Sequence, residues 1–441
     1  MLSFKIAVIF LFVVKIDFLM VLTESTVSLK TGDNAPEFNL KGIDDNMHSL
    51  NDYSKKGKRM KITDIRTVVV GNPWKNWVFV IVETSSGISG LGEATGGLQT
   101  MPNKESVEEI KHLAIGKNPL EITNLIDELY KASFLKITPA ISSIEVACWD
   151  ILGQYLKVPI YQILGGKVRD KVRVYANGWY SGERTPENFG EKAKLIADKG
   201  YTALKFDPFG SEYMRLNKDS EALIKSIIKC VRDNVGDKVE LMIEGHKRFN
   251  STEAIKISHW LKDYEITWFE DPIDNVDIDS LIHVANKSPV RIIAGEGFKK
   301  HKDFTRFASS NSTDIMNPEI IAIGGISGAM NVAAICSSFN VDLAFHNAES
   351  PLKTMTNLQL CGAIKNIYIQ ECFDDFNEDW INELFPNYEK VNKGYLSIPD
   401  RPGLGIKLNE GVVESHPYHK SNFLRMFKPG WENRKGAASI E

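Results

Sequence analysis

The chain has 441 residues, enough for one large domain with a smaller one or for two to three ordinary domains. Charged residues make up 25% and hydrophobic residues 43%, the balance of a soluble globular protein. A formal net charge of −4 argues against a nucleic-acid binder and leaves room for an acidic cluster that holds a metal.

Lys5 followed by the apolar run Ile6 to Val14 resembles the n-region and h-region of a signal peptide. Nine residues are too few to span a bilayer, Lys15 and Asp17 interrupt the next stretch, and no small-residue cleavage site follows. Met20 and Met60 each offer a more sensible start. Residues 23–59 are polar, and "GDNAPEFNLKGIDDNMHSLNDYSKKGK" resembles the opening of a peroxiredoxin. With no cysteine before Cys148 this piece has no thiol chemistry of its own. Residues 1–59 are therefore expected to be a poorly packed extension.

The chain changes character at Met60. "MKITDIRTVVV" and "WVFVIVET" are rich in β-branched and aromatic residues and predict strands; "SSG" at Ser85–Gly87 turns into a third, "ISGLGEAT". Helical patterns follow at roughly 104–114, 119–131 and 139–156, the last two opened by Pro119 and Pro139. Three strands and then three helices predict an α+β domain over 60–165. Cys148, in "SSIEVACWDIL", reads as a core thiol. The other cysteines are Cys230, Cys336, Cys361 and Cys372; an odd count without a Cys-x-x-Cys pair argues against a disulfide framework or zinc knuckle. A reducing, cytoplasmic setting fits best.

From about residue 172 short apolar runs ending in polar residues alternate with amphipathic segments: "VRVYANG", "TALKFD", "ELMIEGH", "ITWFED", "RIIAGE", "DIMNPE", "VDLAFHN" and "IYIQE". Eight such strands predict parallel β-α units over 166–372. Lys205, Glu244, Glu270, Glu296, Glu319, His346 and Glu371 close these runs at spacings of 39, 26, 26, 23, 27 and 25 residues. Those intervals suit a closed barrel, whose strand C-termini all open on one face, the face that carries active sites. Residues 373–441, with "NKGYLSIPDRPGLGIKLNEG", are expected to fold back onto the N-terminal domain.

Glu244, Glu270 and Glu296 end three consecutive strands. Crowded carboxylates repel unless a cation is present, and hard oxygen ligands on rigid strands suit Mg²⁺. His346 beside Glu319 has the arrangement of a general base. His246 lies two residues after Glu244 and, by period-two alternation, should face the same cup as an acid. Lys205 offers positive charge to a substrate carboxylate. Asp207 also points inward by alternation, and Glu371 could donate a hydrogen bond if protonated. These parts suit removal of a proton next to a carboxylate, with a second acid to protonate a leaving hydroxyl.

The stretches "YANGWY", "YTALKFDPFG", "WFEDPI", "AGE", "IGGIS", "AFHNA" and "RPGLGI" together resemble the enolase superfamily from Met60 nearly to the C-terminus. The likeness is to its mandelate racemase/muconate lactonizing enzyme branch, and within that to archaeal gluconate dehydratases and related galactonate dehydratases. It implies an α/β fold, a modified (β/α)8 TIM barrel of the enolase type with an N-terminal α+β capping domain. It implies one Mg²⁺ per subunit at Glu244, Glu270 and Glu296, His346 with Glu319 as base, His246 as acid, and Lys205 and Glu371 stabilising the carboxylate. Trp74, Lys75 and Trp77 of "NPWKNW" become candidate substrate neighbours, as do Asp207, Arg248 and Asn347. The implied activity is an aldonate dehydratase that yields a 2-keto-3-deoxy acid, working as a homo-oligomer, dimer or octamer, with no nucleic-acid or membrane partner. Two departures stand out: Glu319 where the family usually has Asp, and Asp207 where racemases carry a second lysine. An epimerase or lactonising enzyme on the same scaffold, and a redox or structural fusion built on residues 1–59, are the alternatives.

Overall fold

The computed structural model describes residues 39–41, 47–49, 60–73, 75–97, 99–133, 138–274 and 277–431. The signal-like first segment, most of the peroxiredoxin-like stretch and Trp74 lie outside these residues. The chain divides into two units, Met1–Arg59 and Met60–Glu441. In the first, β1 (Asn39–Lys41) and β2 (Met47–Ser49) pair antiparallel.

In the second unit, β3 (Ile62–Val70), β4 (Trp77–Thr84) and β5 (Ser89–Glu93) form an antiparallel sheet. Helices Thr100–Ala114, Ile122–Ala132 and Thr138–Leu156 follow. Ile62, Ile65, Val78, Val80 and Val82 of the sheet pack with Val107, Leu125, Leu129, Ile144 and Ile151 of the helices. Fully burying one such aliphatic side chain is worth about 1.5–3 kcal/mol. The third helix is buried on nearly all sides because it also meets the barrel.

Eight parallel strands come next: β6 (Lys171–Ala176), β7 (Ala203–Phe206), β8 (Glu240–Glu244), β9 (Ile266–Glu270), β10 (Ile292–Ile293), β11 (Ile315–Met316), β12 (Asp342–Leu343) and β13 (Gln370–Cys372). They pair in the order β10-β9-β8-β7-β6-β13, with β11 on β12. Asn317 N donates to Ala294 O at 3.3 Å, and Leu343 bridges Ile367 in parallel, so the strands continue round into a ring. Helices between them start on side-chain caps: Thr185, Asn217, Asn250 and Ser350 each accept from a backbone amide two or three residues on. Helix packing outside and side-chain packing inside explain why these strands read as unbroken apolar runs.

The inside of the ring is one layer of side chains: Tyr175, Ala203, Met242, Trp268, Ile293, Ile315, Ala344 and Ile369. Period two then fixes what lies above it. Two residues along each strand come Asn177, Lys205, Glu244, Glu270, Gly295, Asn317, His346 and Glu371. Seven polar residues and one glycine thus form the floor of the cup.

Residues 373–431 run back along the cap. β14 (Tyr395–Ser397) pairs antiparallel with β6. Asp150 of the cap accepts from Leu91 N at 3.0 Å and Leu404 N at 2.8 Å, and Arg66 holds Glu410 with both Nη atoms, at 2.5 and 2.7 Å. Glu145 of the same cap helix accepts from Ile326 N and Ser327 N, at 2.9 and 2.8 Å. That approach requires Gly325, with φ +72°: a Cβ there would come within 2.1 Å of Glu145 Oε2.

Candidate active site

Glu244 and Glu270 are register partners on β8 and β9. Lys205 Nζ, on the neighbouring strand, bonds Glu244 Oε2 at 2.9 Å, Glu270 Oε1 at 2.6 Å and Glu371 Oε1 at 3.0 Å. All four side chains are buried. Glu270 also accepts from Asn317 Nδ2 at 2.8 Å and Trp268 Nε1 at 3.1 Å. Burial and the charge of Glu244 nevertheless push Glu270 well above the usual carboxylate range, against Lys205. Burial would lower Lys205, but Glu270 and Glu371 outweigh it and hold the ammonium well above its ordinary value.

Glu296 does not share that level. Its strand stops at Ile293, and Gly295 takes the floor position, where a Cβ would meet the Asn317 backbone at 3.0 Å. Glu296 is delivered from the turn beyond, where it pairs with Lys247 and lies 3.2 Å from His346 Nε2. Burial raises Glu296, yet Lys247 and His346 prevail and hold it well below the usual range. The expectation of three equal strand-end carboxylates therefore holds for two; the third reaches the cup by a glycine turn.

His346 Nδ1 lies 2.5 Å from Glu319 Oε2. Burial alone would lower this imidazole, but Glu296 and Glu319 push it up to about 9. Nδ1–H donates to Glu319, so Nε2 is the nitrogen that faces the carboxylates of the cup. Glu319 Oε1 accepts from Ile321 N at 2.9 Å and so caps the short helix Ile320–Ile323.

Alternation does not place His246. β8 ends at Glu244, and His246 and Lys247 both adopt left-handed backbone, with φ of 47° and 61°. Such conformations cost energy for residues with a Cβ and cluster at functional sites. Here Glu244 Oε1 accepts from His246 N at 2.9 Å, and Lys247 N donates to Asp271 O at 2.6 Å. His246 Nδ1 meets Asp207 Oδ2 at 2.6 Å, and the ring edge contacts Trp431 at a centroid distance of 5.4 Å.

Asp207 and Arg248, expected as substrate neighbours, are both buried and paired with each other. Asp207 is fully buried: Oδ1 accepts from Phe209 N at 2.8 Å, while Oδ2 takes His246 and Arg248. Arg248 is equally buried and spends its other donors on Gly245 O at 3.0 Å and Gly210 O at 2.8 Å. Burial raises Asp207, but Arg248 and His246 outweigh it and leave the carboxyl below its usual value. The pair supports His246 from behind.

Glu371 was expected to donate a hydrogen bond when protonated. It accepts from Asn177 Nδ2 and Asn347 N, both at 2.7 Å, as well as from Lys205. Against burial, Lys205 and His346 keep it below its usual value. Asn347 is buried against Glu371 and Thr354, and Lys75 forms a buried pair with Glu349 at 3.1 Å. Trp77 is in the core beside Phe79 and Trp380, not in the cup. Sequence reasoning missed Glu349, Lys353, Lys247, Asn317 and Trp431. Only Lys353 left a signal, as the sole charged residue of helix Pro351–Ala363.

Among the described residues Glu319, His346 and Glu349 bring possible metal-ligand atoms within 4.8 Å of one another. The Lys353 ammonium already lies between the two carboxylates, so this group is an internally neutralised network rather than a cation site. At the cup, Glu244, Glu270, Asp271, Glu296 and Glu371 are paired with the cationic side chains of Lys205, Lys247 and His346, and burial pushes Asp271 up to about 8. That surplus of buried oxygen ligands fits a hard divalent cation.

Residues 59–165 match the mandelate racemase/muconate lactonizing enzyme N-terminal domain, and residues 188–412 match the enolase C-terminal domain-like family. The chain is 32% identical to a D-gluconate dehydratase from Thermoproteus tenax, over 93% of this chain and 84% of that protein. It is 34% identical to a D-gluconate/D-galactonate dehydratase from Picrophilus torridus, over 82% of this chain and 93% of that one. A solved member of the enolase superfamily from Salmonella Typhimurium superposes with a TM-score of 0.77 at 25% identity, covering 81% of this chain and 98% of that chain. Both halves of the chain thus match one family, and the chain belongs to the enolase superfamily, in its mandelate racemase/muconate lactonizing enzyme branch.

Proposed function

We propose that the chain is a hydro-lyase that dehydrates a sugar acid, with gluconate or galactonate as substrate and a 2-keto-3-deoxy acid as product. One observation carries the reading: two histidines, each with a buried carboxylate on Nδ1, flank one cluster of acidic side chains. The names of the relatives point the same way. Glu244, Glu270 and Glu296 would hold Mg²⁺, which when bound offsets negative charge developing on the substrate carboxylate. Lys205 adds positive charge there. His346 Nε2, once released from Glu296, takes the proton from C2. His246 Nε2 gives a proton to the hydroxyl leaving C3; water departs, and the enol left behind tautomerises to the 2-keto acid. The balance is one C–H and one C–O bond broken and one water lost.

The same pair of dyads could serve an epimerase, which would wash deuterium into C2 without dehydration. The test is a panel of aldonates with Mg²⁺, read as 2-keto acid formed. Dehydration of at least one aldonate is expected; C2 exchange across the panel with no 2-keto acid would overturn the reading in favour of the epimerase. Five free thiols support a reducing, cytoplasmic setting, and no described helix is long and apolar enough to cross a membrane. A homo-oligomer is the assembly this reading implies.

A further inference from the structure

We propose that Lys353 is a positioning residue for the base dyad, and that Glu349 and Lys75 tie it to the cap. The proposal rests on reading His346 as the base. Its ammonium is buried between Glu319 Oε2 and Glu349 Oε2, on the helix that begins just after the β12 loop. Glu349 Oε1 in turn accepts from Lys75 Nζ at 3.1 Å, and Lys75 belongs to the cap loop between β3 and β4. Five side chains of alternating charge thus run from the cap to the imidazole: Lys75, Glu349, Lys353, Glu319 and His346.

The oxygen of Glu319 that accepts from His346 Nδ1 is the one that takes Lys353. Glutamate has one more rotatable bond than an aspartate, such as Asp207 of the other pair, and so more freedom to lose. Lys353 on one oxygen and Ile321 N on the other remove that freedom, so the longer arm presents a fixed acceptor to the imidazole. Stability is a weak reason to bury such a chain, since apolar residues of similar volume often do as well. Orientation of the dyad is the stronger one, because an error of about 1 Å at a reacting group costs up to about 10²-fold in rate.

The test is a double-mutant cycle in the full chain, with the aldonate turned over fastest in the panel. Lys353→Met should lower kcat about 10- to 10²-fold and move KM less than about threefold. Glu319→Gln should lower kcat as well, and Lys353→Met added to it should cost less than about threefold more. A structural role would make the two losses multiply, and that result overturns the proposal, as does an unchanged kcat in folded Lys353→Met. If that variant does not fold, Lys353→Met/Glu349→Gln removes the stranded charge and Lys75→Met leaves Lys353 in place; both should lower kcat with little change in KM, and unchanged kcat in either overturns the proposal. His346→Asn is the control: if it still exchanges the C2 proton, the base assignment fails before the proposal is reached.

Discussion

The assignment of base and acid is open to a direct comparison of His346→Asn with His246→Asn. In the first variant Glu319 keeps Lys353 and the Ile321 amide, and Glu296 keeps Lys247, so both carboxylates remain paired and the fold should stand. What is lost is the nitrogen that takes the C2 proton. A positioned proton-transfer group contributes about 10²- to 10⁴-fold, which at 1.36 kcal/mol per decade is roughly 3 to 5 kcal/mol of barrier. Both dehydration and exchange of the C2 proton should fall by at least that factor. In His246→Asn the base, Lys205 and the acidic cluster are intact, so exchange should survive while water loss falls about 10²- to 10⁴-fold. The assay is deuterium incorporation at C2 of unreacted aldonate in D₂O, followed by proton NMR. Exchange kept by His346→Asn and lost by His246→Asn would reverse the roles and place the other face of the substrate toward His346.

Exhaustive chelation should abolish turnover and added Mg²⁺ should restore it; full activity in a metal-free preparation would remove Glu244, Glu270 and Glu296 from the role given them. Asp207→Asn leaves the Arg248 guanidinium buried without its counter-charge, which should destabilise the protein by about 3–5 kcal/mol; a loss under about 1 kcal/mol in urea unfolding would show that the backbone carbonyls suffice. Burial pushes Glu145 from 4.5 up to about 7 in the folded chain, so its contribution is fully present below pH 4.5 and is lost as pH rises through about 7, a span of roughly 3 kcal/mol. Glu145→Gln should therefore lose less stability than the parent between pH 4.5 and 8, and equal losses in urea titrations would refute the shift. A chain starting at Met60 should keep its turnover; a fall of more than about tenfold, 1.4 kcal/mol of barrier, would give residues 1–59 a working part.

Much of this architecture was legible because apolar periodicity lasts as long as a strand does. On β7, β8, β9 and β13 it places Lys205, Glu244, Glu270 and Glu371 two residues beyond an inner-layer side chain. Where the backbone turns, at Gly295 and at His246–Lys247, Glu296 and His246 reach the cup by glycine or left-handed conformations that alternation cannot foresee. The cap helices were visible from their apolar faces, although helix Thr100–Ala114 begins four residues before the periodic run suggests. The partners of several buried cations were not. Lys353, Arg248 and Lys75 find their carboxylates across separate elements, and only the folded chain brings those partners together.

The two histidine pairs are built alike, and that likeness limits what either can be made to do. Asp207 has one oxygen on the amide two residues on, Phe209 N, and shares the other between His246 Nδ1 and a buried arginine. Glu319 has one oxygen on the amide two residues on, Ile321 N, and shares the other between His346 Nδ1 and a buried lysine. Both carboxylates lie on Nδ1, so Nε2 is the nitrogen the proposed reaction would use in each ring. The difference between the rings therefore comes from what surrounds Nε2. His346 Nε2 lies 3.2 Å from Glu296, a proposed metal ligand, so whatever neutralises Glu296 also frees this nitrogen to accept a proton. His246 touches the cluster through its backbone amide on Glu244, with Trp431 against the ring. A base whose release is linked to occupancy of the acidic cluster would act only when the cluster is filled, whereas His246 makes no such side-chain contact with Glu296 among the described pairs.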